Sequence, residues 1–167
     1  MRNIILIGMP SAGKSTVGII LAKNLGMNFS DTDVLLQARQ GRLLQKIIEA
    51  DGVKYFLEKE EETILSTDYS NTVIATGGSV VYSRKAMEHL KKNGTAIYLR
   101  ISMNTVKKRL RNLKTRGVVL SEGQTLEDIY RERAPLYERY ADIVLDCSGN
   151  SIEDTINAVH ARLASLS

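Results

Sequence analysis

Residues Gly8-Met-Pro-Ser-Ala-Gly13-Lys14-Ser15 carry two glycines, a lysine and a hydroxyl at the spacing G-x-x-x-x-G-K-[ST]. Glycines at those points let successive backbone N–H groups turn inward around an oxyanion. A helix starting just beyond adds its positive dipole end. Lys14 would reach the β- and γ-phosphates of a nucleotide as a point charge, and the Ser15 hydroxyl is the expected Mg²⁺ ligand. The nucleotide-holding set is then Gly8, Ser11, Ala12, Gly13, Lys14, Ser15 and Thr16. The flanks agree, because the apolar run 4–7 leads in and an amphipathic helical pattern over 16–25 leads out.

Two further clusters follow apolar runs. In Asp31-Thr32-Asp33, carboxylates at i and i+2 could serve different ligands, one a metal-bound water and the other the proton of a substrate hydroxyl. The same aspartates also suit a helix N-cap ahead of Val34-Leu35-Leu36. In Thr76-Gly77-Gly78-Ser79, adjacent glycines allow a ligand to approach the backbone closely, or they form a plain turn.

Such groups need a scaffold that brings several loops to one edge. Short apolar runs at 4–7, 73–75, 96–99 and 143–145, with a weaker one at 28–30, read as strands covered on both faces. Helical patterns lie at 14–25, 43–66, 84–92, 104–112, 126–140 and 152–163. Gly26 and Gly94 stand where helix C-terminal punctuation is expected. This alternation predicts an α/β fold: a parallel sheet with helices on both faces and ligands at the carboxyl ends of the strands. The stretch 41–66 is expected to form a flap over that edge.

The whole-chain properties fit one domain of 167 residues. Net charge is +4, from Lys+Arg 23 and Asp+Glu 19, which suits nucleotide phosphates and an acidic small substrate. Aromatic content is 5% with no Trp, so stacking platforms for nucleic acid are scarce and none is expected as partner. The single cysteine, Cys147, cannot pair internally, and no Cys/His spacing suits structural zinc. The apolar start is too short for a signal segment, and no run approaches a membrane span, so the expected compartment is the cytoplasm.

Taken together, GMPSAGKST at 8–16, DTD at 31–33, TGGS at 76–79 and Arg133-Ala-Pro-Leu-Tyr137 resemble the shikimate kinase family along essentially the whole chain. The resemblance implies a P-loop three-layer fold, with a five-stranded parallel sheet in the order 2-3-1-4-5 as in nucleoside monophosphate kinases. It implies transfer of the ATP γ-phosphate to the 3-hydroxyl of shikimate, with Mg²⁺, on the route to aromatic amino acids. The chain is expected to be a monomer of one domain, 1–167, with a flap at about 41–66 and a lid at about 112–124. By position, Asp31 would hold Mg²⁺ through water and Asp33 would orient the acceptor hydroxyl or take its proton. Gly77 and Gly78 would line the substrate pocket, and Arg133 would grip the substrate carboxylate. Arg116 would be the lid arginine over the transferred phosphate, Arg109 would stack on adenine, and Asp146 would open an adenine-edge loop. For arginines in a segment such as 107–111, a solvated helix face is the competing reading.

Three positions depart from the family pattern. Leu57 stands where a second carboxylate-binding arginine is usual, Thr76-Gly77-Gly78 replaces a run of three glycines, and Gly117 replaces the lid proline. Two other functions therefore stay open: a kinase of the same build for another hydroxylated small molecule, and a nucleotide-binding regulator with little catalysis.

Overall fold

The computed structural model describes residues 2–110 and 118–165. Five strands form one parallel sheet: β1 (Asn3–Ile7), β2 (Asn28–Asp31), β3 (Thr72–Ala75), β4 (Gly94–Arg100) and β5 (Ile143–Asp146). Their spatial order is β2-β3-β1-β4-β5, as the family resemblance implies. Ile5 lies opposite Ile74 on one side and Ala96 on the other. β1 and β3 are buried along their whole length, which is why they read as unbroken apolar runs. β5 alternates buried and exposed residues, and β2 has no buried one, because each forms an edge of the sheet.

The connections are α1 (Lys14–Leu25), α2 (Thr32–Gln40), α3 (Leu44–Leu65), α4 (Arg84–Lys91), α5 (Met103–Arg109), α6 (Leu126–Tyr140) and α7 (Ile152–Ala164). A single 3₁₀ turn, Val80–Tyr82, precedes α4. The chain crosses from β1 to β2 in one direction and from β2 through β3 and β4 to β5 in the other. Right-handed crossovers therefore put α1 on one face and α3, α4 and α6 on the opposite face. α7 packs beside α1. Ile5, Leu6, Ile7, Leu21, Ile74, Ile97 and Leu99 fill the core between these layers.

Three local outcomes differ from the sequence expectation. Residues 32–40 form a helix of their own, where only a capping signal was legible. The helix expected over 43–66 forms as α3, but it is bent at Gly52, whose φ of 85° and ψ of 171° are not helical. Gly26 does end α1 in a left-handed conformation, but Gly94 caps nothing: it opens β4. A Cβ there would stand 2.5 Å from Ile5 Cδ1, so glycine serves close packing of β1 against β4. α2 and α3 bring a small second core of Leu36, Leu44, Ile47 and Phe56, closed by Val119, over the carboxyl edge of the sheet. Burying each such side chain is worth roughly 1.5–3 kcal/mol, enough to seat this excursion firmly on the site.

Candidate active site

Residues 8–13 leave β1 and turn directly into α1. Gly13, at φ 90°, holds the left-handed conformation that this turn requires and that a side chain would strain. α1 begins without a side-chain cap, as α3 does, whereas Asp31, Ser83, Ser102, Thr125 and Ser151 cap α2, α4, α5, α6 and α7. Its first N–H groups are thus left for an anion to satisfy. Lys14 is 8% exposed, and its Nζ donates to the carbonyls of Gly8 and Met9, both at 2.8 Å. Burial pulls its pKa down to about 8, with Arg133 adding to the fall, while Asp33 and Asp31 oppose it. A buried ammonium held only by two carbonyls is poised to exchange them for phosphate oxygens.

Asp31 and Asp33 part company at the start of α2. Asp31 caps the helix, its Oδ1 accepting from the N–H of Asp33 at 3.0 Å and of Val34 at 3.3 Å. Its other oxygen accepts from the Ser15 hydroxyl at 2.6 Å. The capping reading is therefore correct for Asp31 without removing it from the phosphate loop. Asp33 turns into the cleft beside Gly77, and burial, reinforced by Asp31, raises its pKa to about 6 against the pull of Lys14. It is ionised at neutral pH yet more basic than an ordinary aspartate, which suits a group that takes a hydroxyl proton.

Opposite these groups, α6 presents Arg133, only 1% exposed. Its Nε donates to the Tyr82 hydroxyl at 3.2 Å and its Nη2 to the Val119 carbonyl at 2.9 Å. Among the described residues no carboxylate pairs with it. The turn after β3 runs past its other face: Nη1 lies 3.1 Å from where a Gly78 Cβ would stand, and the Tyr137 hydroxyl donates to the Gly78 carbonyl. On the Gly77 side, a Cβ would meet Asp33 Oδ1 and Glu60 Oε1, each at 2.6 Å. Gly77 is thus required by the approach of two carboxyl groups, and Gly78 by Pro10, whose Cδ would lie 2.9 Å from a Cβ, together with Arg133. Gly77 N–H also donates to Thr32 Oγ1 at 3.0 Å, tying the turn to α2.

These elements enclose one cleft of about 420 Å³. Ser11, Gly13, Lys14, Ser15, Thr16, Asp33, Gly77, Gly78, Arg109 and Arg133 all line it. Arg109 donates to the Ser11 carbonyl at 2.9 Å, so it is held over the phosphate loop and does not merely extend into solvent. Ala12 is buried behind the loop. Asp146 stands outside the lining, at the end of β5. There it accepts from Ser148 N–H and pairs with Arg100 at 3.5 Å, and the Ser148 contact holds its pKa low. Arg116 and Gly117 lie outside the described residues. The sequence drew no notice to Glu60 or Tyr82, and Ser79 stood in the TGGS cluster without a role of its own. Glu60 had a signal, since Phe56, Glu60 and Ile64 at helical spacing place a carboxylate on the buried face of α3.

For a metal, the adjacent Ser15 hydroxyl and Asp31 carboxylate form a hard oxygen pair. No cluster of three or more His, Cys, Asp or Glu occurs among the described residues, so the pair suits a cation that completes its shell with water and phosphate.

The comparisons with known proteins agree with this geometry. The shikimate kinase family model matches residues 10–164. A shikimate kinase of Thiobacillus denitrificans is 36% identical over 164 residues, 96% of this chain and 90% of the relative. One of Methylococcus capsulatus is 37% identical over 161 residues, covering 95% of this chain and 90% of that protein. Among solved structures, the shikimate kinase from Acinetobacter baumannii in complex with shikimate superposes with a TM-score of 0.92 at 29% identity, over 100% of this chain and 95% of that one. The cleft, the sheet order and these matches lead to one conclusion: the chain belongs to the shikimate kinase family.

Proposed function

We propose that this chain transfers the γ-phosphoryl group of ATP to the 3-hydroxyl of shikimate. Family membership supports the reaction, and the observation that carries the acceptor is Arg133. A guanidinium 1% exposed with no paired carboxylate among the described residues is a costly arrangement unless a ligand supplies the anion. Shikimate has one carboxylate for Arg133 and hydroxyls for Asp33, on a ring small enough for the space between them.

In the reaction, the uncapped start of α1 and Lys14 take the phosphates, with Lys14 leaving the Gly8 and Met9 carbonyls. Ser15 and Asp31 would hold Mg²⁺, which when bound neutralises charge on the phosphates. Asp33 orients the acceptor hydroxyl and accepts its proton as the oxygen bonds to phosphorus and the bond to the ADP oxygen breaks. Arg133 fixes the far end of the acceptor, and Leu44, Phe56 and Val119 exclude water. Arg116 is assigned the developing phosphoryl charge by its position in the family motif.

The test is ATP turnover against shikimate and a panel of other hydroxy acids and sugars. Shikimate-dependent ADP release is the expected result. Release only with another acceptor, which Leu57 in place of the usual arginine would favour, overturns the assignment of substrate while keeping the kinase. No release with any acceptor overturns both.

A further inference from the structure

Glu60 is a buried carboxyl that the reaction above does not use. It is 4% exposed on α3, Ser79 Oγ donates to its Oε2 at 2.8 Å, and its Oε1 has no hydrogen-bond partner. That oxygen and Asp33 Oδ1 converge on the space a Gly77 side chain would fill. The groups facing Glu60 are Asp33 from α2 and Arg133 from α6. Ser79 and the Tyr82 phenol share with it the lining of a second hollow behind the cleft, along with Leu57, Lys54, Glu58 and Glu61 of its own helix. A carboxylate in this position would draw on the charge of Arg133 in place of a ligand.

We propose that Glu60 is a positioning residue of the acceptor site that works as a neutral carboxylic acid. Ser79 pins one oxygen, the other carries the proton beside Gly77, and Arg133 is left with its full charge for the acceptor's carboxylate. Burial points the same way: it raises the Glu60 pKa to about 8, and Asp33 adds to the rise against Ser79 and Arg133. Leu57 contributes by being apolar, since a cation one turn from Glu60 would draw the proton off. Glu60 does not line the acceptor cleft, so it acts through Arg133 and the turn 77–79, and its effect belongs in the KM for the acceptor. The inference rests on the carboxylate-binding role proposed for Arg133.

Two measurements test it. With ATP saturating, so that bound phosphates keep Lys14 charged, kcat/KM for shikimate should fall towards tenfold per pH unit above about 8. Glu60→Gln mimics the neutral acid. It should stay within about threefold of the wild type at pH 7 and lose that fall, while Glu60→Ala should raise KM more than tenfold. The second readout needs no acceptor. An acid whose folded pKa lies above its unfolded value loses stability as pH rises from about 4.5 to about 8. The wild type should therefore lose melting temperature relative to Glu60→Gln between pH 5 and 8, with a constant gap above. Parallel melting curves for the two across that range overturn the proposal, as does a Glu60→Gln enzyme that keeps the alkaline fall. If shikimate is not turned over but the melting curves diverge as stated, the substrate reading fails and the neutral Glu60 stands.

Discussion

Two carboxylates one residue apart make different contacts here, because the helix that starts between them turns their side chains to different neighbours. Asp31 faces Ser15 and the first N–H groups of α2, and Asp33 faces Gly77. In the proposed reaction Asp33→Asn should cut kcat by about 10²–10⁴ while leaving ATP affinity within a few-fold, since it removes a proton acceptor and no phosphate contact. Asp31→Asn keeps a capping side chain, so the fold should hold, but the Mg²⁺ concentration giving half-maximal rate should rise. Titrating Mg²⁺ and ATP separately in both variants checks this, and identical behaviour would refute the division. Gly77→Ala belongs with them. Its Cβ would sit 2.6 Å from two carboxyl oxygens, so one must move, and kcat/KM for the acceptor should fall at least tenfold with ATP binding preserved. Motif spacing made the phosphate loop legible in the sequence, whereas the encounter of Glu60, Asp33 and Gly77 joins residues 33, 60 and 77 and depends on how α3 lies on the sheet.

At the scale of elements, the strands were legible because a strand covered on both faces reads as an apolar run, as β1 and β3 do. α2 was not, because its mostly polar Thr32–Gln40 sequence leaves only Thr32 and Leu36 buried and so little periodicity to read. The bend in α3 was hidden as well, since glycine is compatible with either a helix interior or a break. That bend matters, for it sets which turn of α3 faces the cleft and places Leu57 beside the hollow that Glu60 lines. Leu57→Arg would bring a guanidinium to that hollow. If it reaches the acceptor carboxylate, KM for shikimate should drop about tenfold, the equivalent of ~1.4 kcal/mol, by adding one charge-assisted bond. An unchanged or higher KM would mean that the new arginine pairs with Glu60, drawing off its proton and giving Arg133 a competitor. The pH profile separates these, because a lowered Glu60 pKa moves the alkaline fall in kcat/KM to lower pH.

Over the whole molecule, one cleft holds two buried cations, Lys14 and Arg133, that repel each other and lack paired carboxylates among the described residues. Asp33 and Asp31 support the Lys14 charge only in part, so phosphates that support it further must link binding to pH. Lys14 has a pKa of about 8 in the free protein, below its usual value, and phosphates at its Nζ raise it again. Above pH 8 the free protein is therefore largely neutral at Lys14, and ATP binding must take up a proton. Phosphate groups complete their own ionisation nearer pH 6, so the linkage in this range reports the lysine. ATP affinity should weaken towards tenfold between pH 8 and pH 9, about 1.4 kcal/mol. At a fixed excess of ATP the rise in melting temperature on binding should shrink over that interval by about 3–5 °C for a chain of this size. Lys14→Met should bind more weakly at pH 7 and show a smaller thermal shift that stays constant from pH 7 to 9. Calorimetry in buffers of different ionisation enthalpy supplies the proton count directly: uptake approaching one proton at pH 9 is expected. No uptake would mean that Lys14 keeps its proton without nucleotide and that burial in this cleft does not weaken it.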